Sequence, residues 1–158
     1  MKRIYLDMER CLACRSCIWA CRLKHSQTRN LFSLIEEKPS PRARLKVAKY
    51  KVRPFVLQCR HCFDAYCYFA CISGAIRKTA SGVNIDPGKC VHCYSCLMVC
   101  PYGAIAIAEK GPTAVKCDHC EDQAVPACVS ACPTQALFYG QEDEFFAVLE
   151  KRRKACTT

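Results

Sequence analysis

The sequence predicts an α+β chain of two tandem, pseudo-symmetric units. Each unit is a βαβ-like set of short strands and helices wrapped around inorganic clusters, and the pair carries a basic strand insertion and a C-terminal helix. Three observations predict this. Sixteen of the 17 cysteines fall into four tight groups. The stretch around the first and second groups is written again around the third and fourth. The chain has only 158 residues, which allows one compact body or two small ones, with much of the interior made of cofactor.

The first group is Cys11, Cys14, Cys17 and Cys21, spaced C-x2-C-x2-C-x3-C. The second is Cys59, Cys62, Cys67 and Cys71, with an x4 gap in the middle. The third, Cys90, Cys93, Cys96 and Cys100, repeats the first spacing and adds Pro101; the fourth, Cys117, Cys120, Cys128 and Cys132, has an x7 gap and ends in Pro133. This is the bacterial two-cluster ferredoxin pattern, written twice. Three cysteines two residues apart wrap a loop around three corners of an iron–sulfur cube, and the short gaps aim backbone N–H groups at the sulfurs. In two-cluster ferredoxins the fourth cysteine reaches the neighbouring cube, which locks two cubes into one body. A proline after it removes a donor where the chain turns away. Arg22 and Ile72 stand where Pro101 and Pro133 stand elsewhere, so a different turn is expected after the first two groups.

Zinc knuckles also use C-x2-C pairs, but a long gap then separates the pairs. Here the third and fourth cysteines follow at once. A disulfide framework suits a secreted chain, whereas Met1 to Arg10 is charged and has no apolar leader. The expectation is a reducing cytoplasm. No run approaches the ~18–20 apolar residues of a membrane span, so direct membrane insertion is not expected. The formal charge of +10 counts every thiol as neutral. A [4Fe–4S]2+ core on four thiolates carries about −2, so four of them bring the loaded chain to about +2. The basic excess is then compensation for buried anions, and a nucleic-acid partner is not expected.

Ile4-Tyr5-Leu6-Asp7 precedes Cys11 as Val83-Asn84-Ile85-Asp86 precedes Cys90, and Cys59-Arg60-His61-Cys62 matches Cys117-Asp118-His119-Cys120. A duplicated unit explains this repetition. Between Cys71 and Cys90, residues 75–85 read as a strand, a Ser81-Gly82 turn and a second strand. That hairpin joins the second and third groups into an inner unit, residues 55–111, sharing Cys71 and Cys100 crosswise. The first and fourth groups then close an outer unit, residues 1–54 plus 112–140. The alternative pairs neighbour with neighbour and leaves all of 22–58 between Cys21 and Cys59.

The segments CLACRSCIWACRLKHS from Cys11, LQCRHC from Leu57, CVHCYSCLMVCPYGAI from Cys90, and VKCDHC with VPACVSACPTQAL near the end carry a family resemblance. The chain resembles the four-cluster electron-transfer subunits of the dimethyl sulfoxide reductase type. It is most similar to the short iron–sulfur subunits of carbon monoxide dehydrogenase, tungsten aldehyde oxidoreductase and formate hydrogenlyase-type enzymes. The resemblance implies a ligand scheme for four [4Fe–4S] clusters. One takes Cys11, Cys14, Cys17 and Cys132, and its partner takes Cys117, Cys120, Cys128 and Cys21. The inner pair takes Cys59, Cys62, Cys67 with Cys100, and Cys90, Cys93, Cys96 with Cys71. Some relatives lack one cysteine of the third group; here all are present. Ile72, and Tyr66 and Tyr68 beside Cys67, bear on the inner pair's potential.

His61, His92 and His119 each precede the second cysteine of a group. They suit donation to a sulfide or proton carriage, set against the plainer expectation of loop residues near solvent. Arg42, Arg44, Lys46, Lys49, Lys51 and Arg53 alternate with apolar residues, with a register shift at Ala48; this is either a solvated strand face or a docking site for an acidic partner. Residues 141–158 read as a C-terminal helix and tail, the helix over Gln141–Lys154 with Glu142, Asp143 and Glu144 at its start and Lys151 to Lys154 at its end. Its apolar Phe145, Phe146, Val148 and Leu149 can pack on the core, a partner or a second copy. Ile18 and Trp19 lie between ligands, as a water shield. Cys156 reads as a free thiol.

No nucleophile–base pair, phosphate-binding glycine loop or open metal site is present, so the chain is expected to be non-catalytic. The expected function is an electron relay between a catalytic oxidoreductase subunit (a tungsten, molybdenum or nickel–iron enzyme) and a second redox protein or flavin subunit, with self-association into a longer wire a further option. The rivals are a free-standing polyferredoxin and a zinc-binding structural module.

Overall fold

The short strands and helices predicted around the cysteine groups are seen in a computed structural model, which describes residues 1–156 except the side chain of residue 156. The free-thiol reading of Cys156 lies outside the described side chains. In order the chain forms β1 (Arg3–Leu6), α1 (Ser16–Lys24), α2 (Leu31–Glu36), β2 (Leu45–Tyr50), β3 (Arg53–Gln58), α3 (Tyr66–Phe69), β4 (Ile76–Thr79), β5 (Gly82–Ile85), α4 (Ser95–Val99), β6 (Ile105–Ile107), β7 (Ala114–Lys116), α5 (Ala127–Ser130), β8 (Leu137–Gly140) and α6 (Glu142–Cys156). The strands pair antiparallel as four two-stranded ribbons: β1 with β8, β2 with β3, β4 with β5, and β6 with β7. Two-stranded ribbons are marginal alone, so packing around the cysteine helices must supply their stability. Each cysteine group contributes one short helix. Those of the first and fourth groups, α1 and α5, pack together, as do α3 and α4 of the second and third.

The buried side chains divide the same way. One core joins Ala65, Ile76, Val83, Cys96, Ile105 and Ala114. The other joins Cys17, Cys21, Leu45, Cys128 and Leu137, with Ile4, Leu6 and Val56 against it. The repeat extends to single bonds. Asp7 N–H donates to Ala136 C=O at 2.8 Å and Asp86 N–H to Ala75 C=O at 2.8 Å. Each aspartate then turns its own loop, Asp7 Oδ1 accepting from Glu9 N–H at 3.2 Å and Asp86 Oδ1 from Gly88 N–H at 3.0 Å.

Several sequence expectations change here. The basic stretch has no register shift at Ala48, which pairs in step with Phe55; the break is a turn at Lys51-Val52, where Lys51 takes a left-handed φ of 52°. One hairpin therefore replaces one bulged strand, because Pro54 needs no ladder donor at the start of an edge strand. Arg42 and Arg44 pair internally with Glu109 and Asp118, while Lys46, Lys49, Lys51 and Arg53 stay exposed.

The turn after Cys71 is also not distinct. Gly74, Gly103 and Gln135, each three residues past the last cysteine of its group, donate back to the carbonyls of Cys71, Cys100 and Cys132 at 3.2, 3.1 and 3.1 Å. All three take positive φ. Ile72 thus makes the same turn as the two prolines, and only Cys21 departs, because α1 runs on to Lys24.

The C-terminal helix starts with its three acids as expected and turns one stripe inward. Phe145 is buried and stacks on Tyr5 at 5.0 Å, and Arg152 reaches Asp7 at 3.0 Å, whereas Phe146 is exposed.

The turn of the β4–β5 hairpin is Ala80-Ser81, one residue earlier than expected, and Gly82 opens β5 with φ +137°. A Cβ there would lie 2.2 Å from His61 Nδ1. Gly82 is therefore required by the approach of a side chain, not by the turn. Gly82→Ala should cost at least about 2 kcal/mol, read as a lower melting temperature of anaerobic holoprotein. Gly74→Ala meets strain but no clash and should cost less.

Candidate metal centres

Every group opens with the same backbone device. The residue before its second cysteine lies in the left-handed region: Ala13 (φ 53°), His61 (45°), His92 (60°) and His119 (59°). A left-handed residue in a tight loop turns successive N–H groups to one side, which makes an anion-holding concavity. His61 N–H already points at Cys59 Sγ, 3.4 Å away. The last cysteine of three groups accepts a backbone N–H as well. Cys132 takes Ala136 at 3.2 Å, Cys100 takes Ala104 at 3.5 Å, and Cys21 takes Arg44 at 3.3 Å, from the insertion just before β2. Such bonds favour the charged sulfur.

The fold brings cysteines of different groups together. One small cavity is lined by Cys59, Cys62, Cys67 and Cys100, another by Cys71, Cys90, Cys93 and Cys96. Burial pushes the Cys67 thiol up to about 11, and Cys59 and Cys100 beside it push the same way. In the other core, burial raises Cys17 to about 11, with Cys132 and Cys14 as charged neighbours. Burial carries Cys117 to about 12, with Cys21 and then Cys59 adding to it. Cys128 is driven higher still, again by burial first and then by Cys117, Cys21 and Cys120. Cys11 opens the first loop and is partly buried. Cys14 and Cys93 are exposed, whereas Cys21, Cys117, Cys120 and Cys128 are all buried.

This donor set fits iron and sulfide. It is all cysteine sulfur, which suits zinc or iron–sulfur clusters, and where it is most buried, at Cys17, Cys117 and Cys128, charged thiolates would repel one another unless cations sat between them. Sulfur crowded this way without carboxylate or imidazole in the same set matches cysteine-ligated [4Fe–4S] sites.

Two histidines are not near solvent. His61 is 0 % and His119 3 % exposed, and their rings stack at 3.6 Å between centroids. Only His92 is exposed as expected. The reason is tertiary: the β4–β5 hairpin folds over both rings. Trp19 is no water shield either, since it is 43 % exposed with the Arg22 guanidinium 4.6 Å above it; Ile18 is the one turned toward the core.

Sequence reading overlooked two features. Lys116 is buried and donates to the carbonyls of Val83 and, at 3.0 Å, Cys117; its only sequence cue is its place before Cys117. His25 has no motif signal at all. Its Nδ1 lies 2.7 Å from Cys21 O and its Nε2 3.5 Å from Asp118 Oδ2, which also takes Arg44 at 2.5 Å.

A family model for the 4Fe-4S dicluster domain matches residues 50–142. The chain belongs to this family. Within the wider set of similar proteins, an iron-sulfur protein of Rhodospirillum rubrum is 37% identical, across 95% of this chain and 87% of its own length. The electron transport protein HydN of Escherichia coli strain K12 is 32% identical, across 96% and 95%. Protein NrfC of the same strain is 37% identical across 87% of this chain and 64% of its own length. Among the described residues no helix is long and apolar enough to cross a membrane.

Burial alone would lower the His25 pKa, but its bonds to Asp118 and Cys21 prevail and hold it at about 9. A raised folded-state pKa stabilises fully below the ordinary 6.5 and is lost as pH rises through about 9. Melting temperature should therefore fall between pH 6.5 and 9, and Asp118→Asn should flatten that slope.

Proposed function

We propose that the chain is a non-catalytic, cytoplasmic electron relay carrying four [4Fe–4S] clusters, of the dimethyl sulfoxide reductase iron–sulfur subunit type. The sixteen cysteines would hold them crosswise: Cys11, Cys14, Cys17 and Cys132; Cys117, Cys120, Cys128 and Cys21; Cys59, Cys62, Cys67 and Cys100; Cys90, Cys93, Cys96 and Cys71. Such clusters supply reversible one-electron transfer. The relatives named as iron-sulfur and electron transport proteins support this reading over a zinc module.

The observation that carries a relay is the exposure of the thiols. Cys93 and Cys14 are exposed in the third and first groups. Between them lie the partly buried Cys59 set and the buried Cys117 set, with Cys59 near enough to Cys117 to raise its thiol pKa. On this reading the electron path would run third, second, fourth and first group, supported by the packing of α3 on α4 and of α1 on α5 and by the influence of Cys59 on Cys117. The fourth group is the most buried, and the first and third each bring one thiol, Cys14 and Cys93, to the surface where a partner can approach. A catalytic oxidoreductase subunit at one end and a second redox protein or flavin subunit at the other fit this arrangement. The enzyme types suggested by resemblance are aldehyde oxidoreductase, carbon monoxide dehydrogenase, formate dehydrogenase and hydrogenase.

Anaerobically purified protein should contain about 16 irons and as many labile sulfides per chain. Cys132→Ser should alter the same paramagnetic signal as Cys14→Ser. A change shared with Cys120→Ser instead contradicts the crosswise scheme.

A further inference from the structure

At the seam between the two cores, side chains of the fourth group reach onto the β4–β5 hairpin of the other unit. Lys116 donates to Val83 C=O, and Glu121 accepts from Ser81 and Asn84. The two stacked histidines lie at the same place. Val83 N–H donates to His61 Nδ1 at 3.0 Å, and His119 Nδ1 lies 3.3 Å from Ser81 C=O. The first bond fixes the His61 tautomer: with Nδ1 accepting, a neutral ring carries its proton on Nε2. That Nε2 is buried and has no hydrogen-bond partner. A buried donor without an acceptor costs about 1–3 kcal/mol, yet the ring is held on all sides, by Val83, by the His119 stack and by the missing side chain of Gly82. A ring nitrogen of His61, a ring nitrogen of His119 and Cys117 Sγ all lie within 4.8 Å of one another.

We infer that His61, a residue of the second cysteine group, is a positioning residue for the cluster held by the fourth: its Nε2–H donates to the sulfur of that cluster at Cys117. The inference rests on the four-cluster reading above. A buried orphan donor on a ring beside a thiolate sulfur is satisfied if it donates to that sulfur once the sulfur is a cluster ligand, and hydrogen bonds to cluster sulfur stabilise the more negative, reduced state and raise the potential. His119, bonded to Ser81 and stacked on His61, keeps the donor ring in place. The two adjoining sites of the wire are thereby tied by one side chain: the loop that holds the second group also sets the electron affinity of the fourth. Lys116, buried at the same seam, donates to Val83 C=O and Cys117 C=O, and its charge acts on the Cys67 thiol of the adjoining site. A mononuclear metal on His61, Cys117 and His119 is the competing use of these atoms, and it demands that Cys117 leave its own set.

The test is an EPR-monitored redox titration of anaerobic holoprotein, with iron and sulfide measured first. If the unsubstituted protein lacks about 16 irons, the four-cluster reading fails by itself. With four clusters in place, His61→Phe keeps an aromatic stack but has no donor. It should lower the potential of the one cluster whose signal Cys120→Ser alters, and His61→Gln, which keeps an N–H, should lower it less. Four unchanged potentials, or a shift only in the cluster mapped by Cys62→Ser, overturn the inference. If His61→Phe does not load, pulsed EPR on protein labelled with 15N-histidine, compared with the same labelled protein carrying His61→Gln, decides. A histidine nitrogen coupling on the signal mapped by Cys120→Ser that His61→Gln removes supports the bond; a coupling that is absent, or that survives His61→Gln, overturns it.

Discussion

The whole chain answers to one constraint: thiolates gathered in fours, away from water, must have positive charge between them. Burial raises the pKa of Cys17, Cys67, Cys117 and Cys128, and neighbouring thiols add to the effect. Without cations these sulfurs would stay protonated, and the cores around them would lose their centres. Much else follows. The left-handed residues turn N–H groups inward, and the last cysteines of three groups accept backbone donors. The ribbons of two strands are too small to be stable alone, so folding and metal loading are one event.

The repeated segments share more than spacing. The aspartate loops at Asp7 and Asp86 and the turns at Gly74, Gly103 and Gln135 repeat atom for atom in their partners. Where the copies diverge, the divergence has a use. Helix α1 continues past Cys21, so Cys21 takes its backbone donor from Arg44 of the basic insertion. The insertion also brings Arg44 to Asp118, and with His25 it makes a charge cluster behind the fourth group. A stretch that looked like a spare charged face thus closes one of the sites, while its distal hairpin remains exposed.

Polar contacts join the two buried cores. Lys116, Glu121, His61 and His119 make them, and Gly82 leaves room for them. A relay needs its two halves at a fixed separation, since hopping rates depend on distance. A stack of two buried rings held by backbone bonds is a stiffer joint than an apolar contact of the same size.

The cysteine spacings alone determined the donor set, the repeat and the class of cofactor, because a cube imposes local geometry that a few residues must satisfy. The family match over residues 50–142 agrees with that class of cofactor. The strand before Cys11, the hairpin before Cys90 and the terminal helix were legible for the same local reasons. Only the tertiary structure decided which side chains meet across the seam. A histidine in a CxHC loop looks alike in all three groups that have one, yet His92 is exposed while His61 and His119 are buried, because only those two lie under a hairpin from elsewhere in the chain. Gly82 reads as a turn residue, and its role depends on a ring 21 positions earlier. Local pattern carries local geometry; contacts between distant segments depend on how the copies pack, which spacing does not encode.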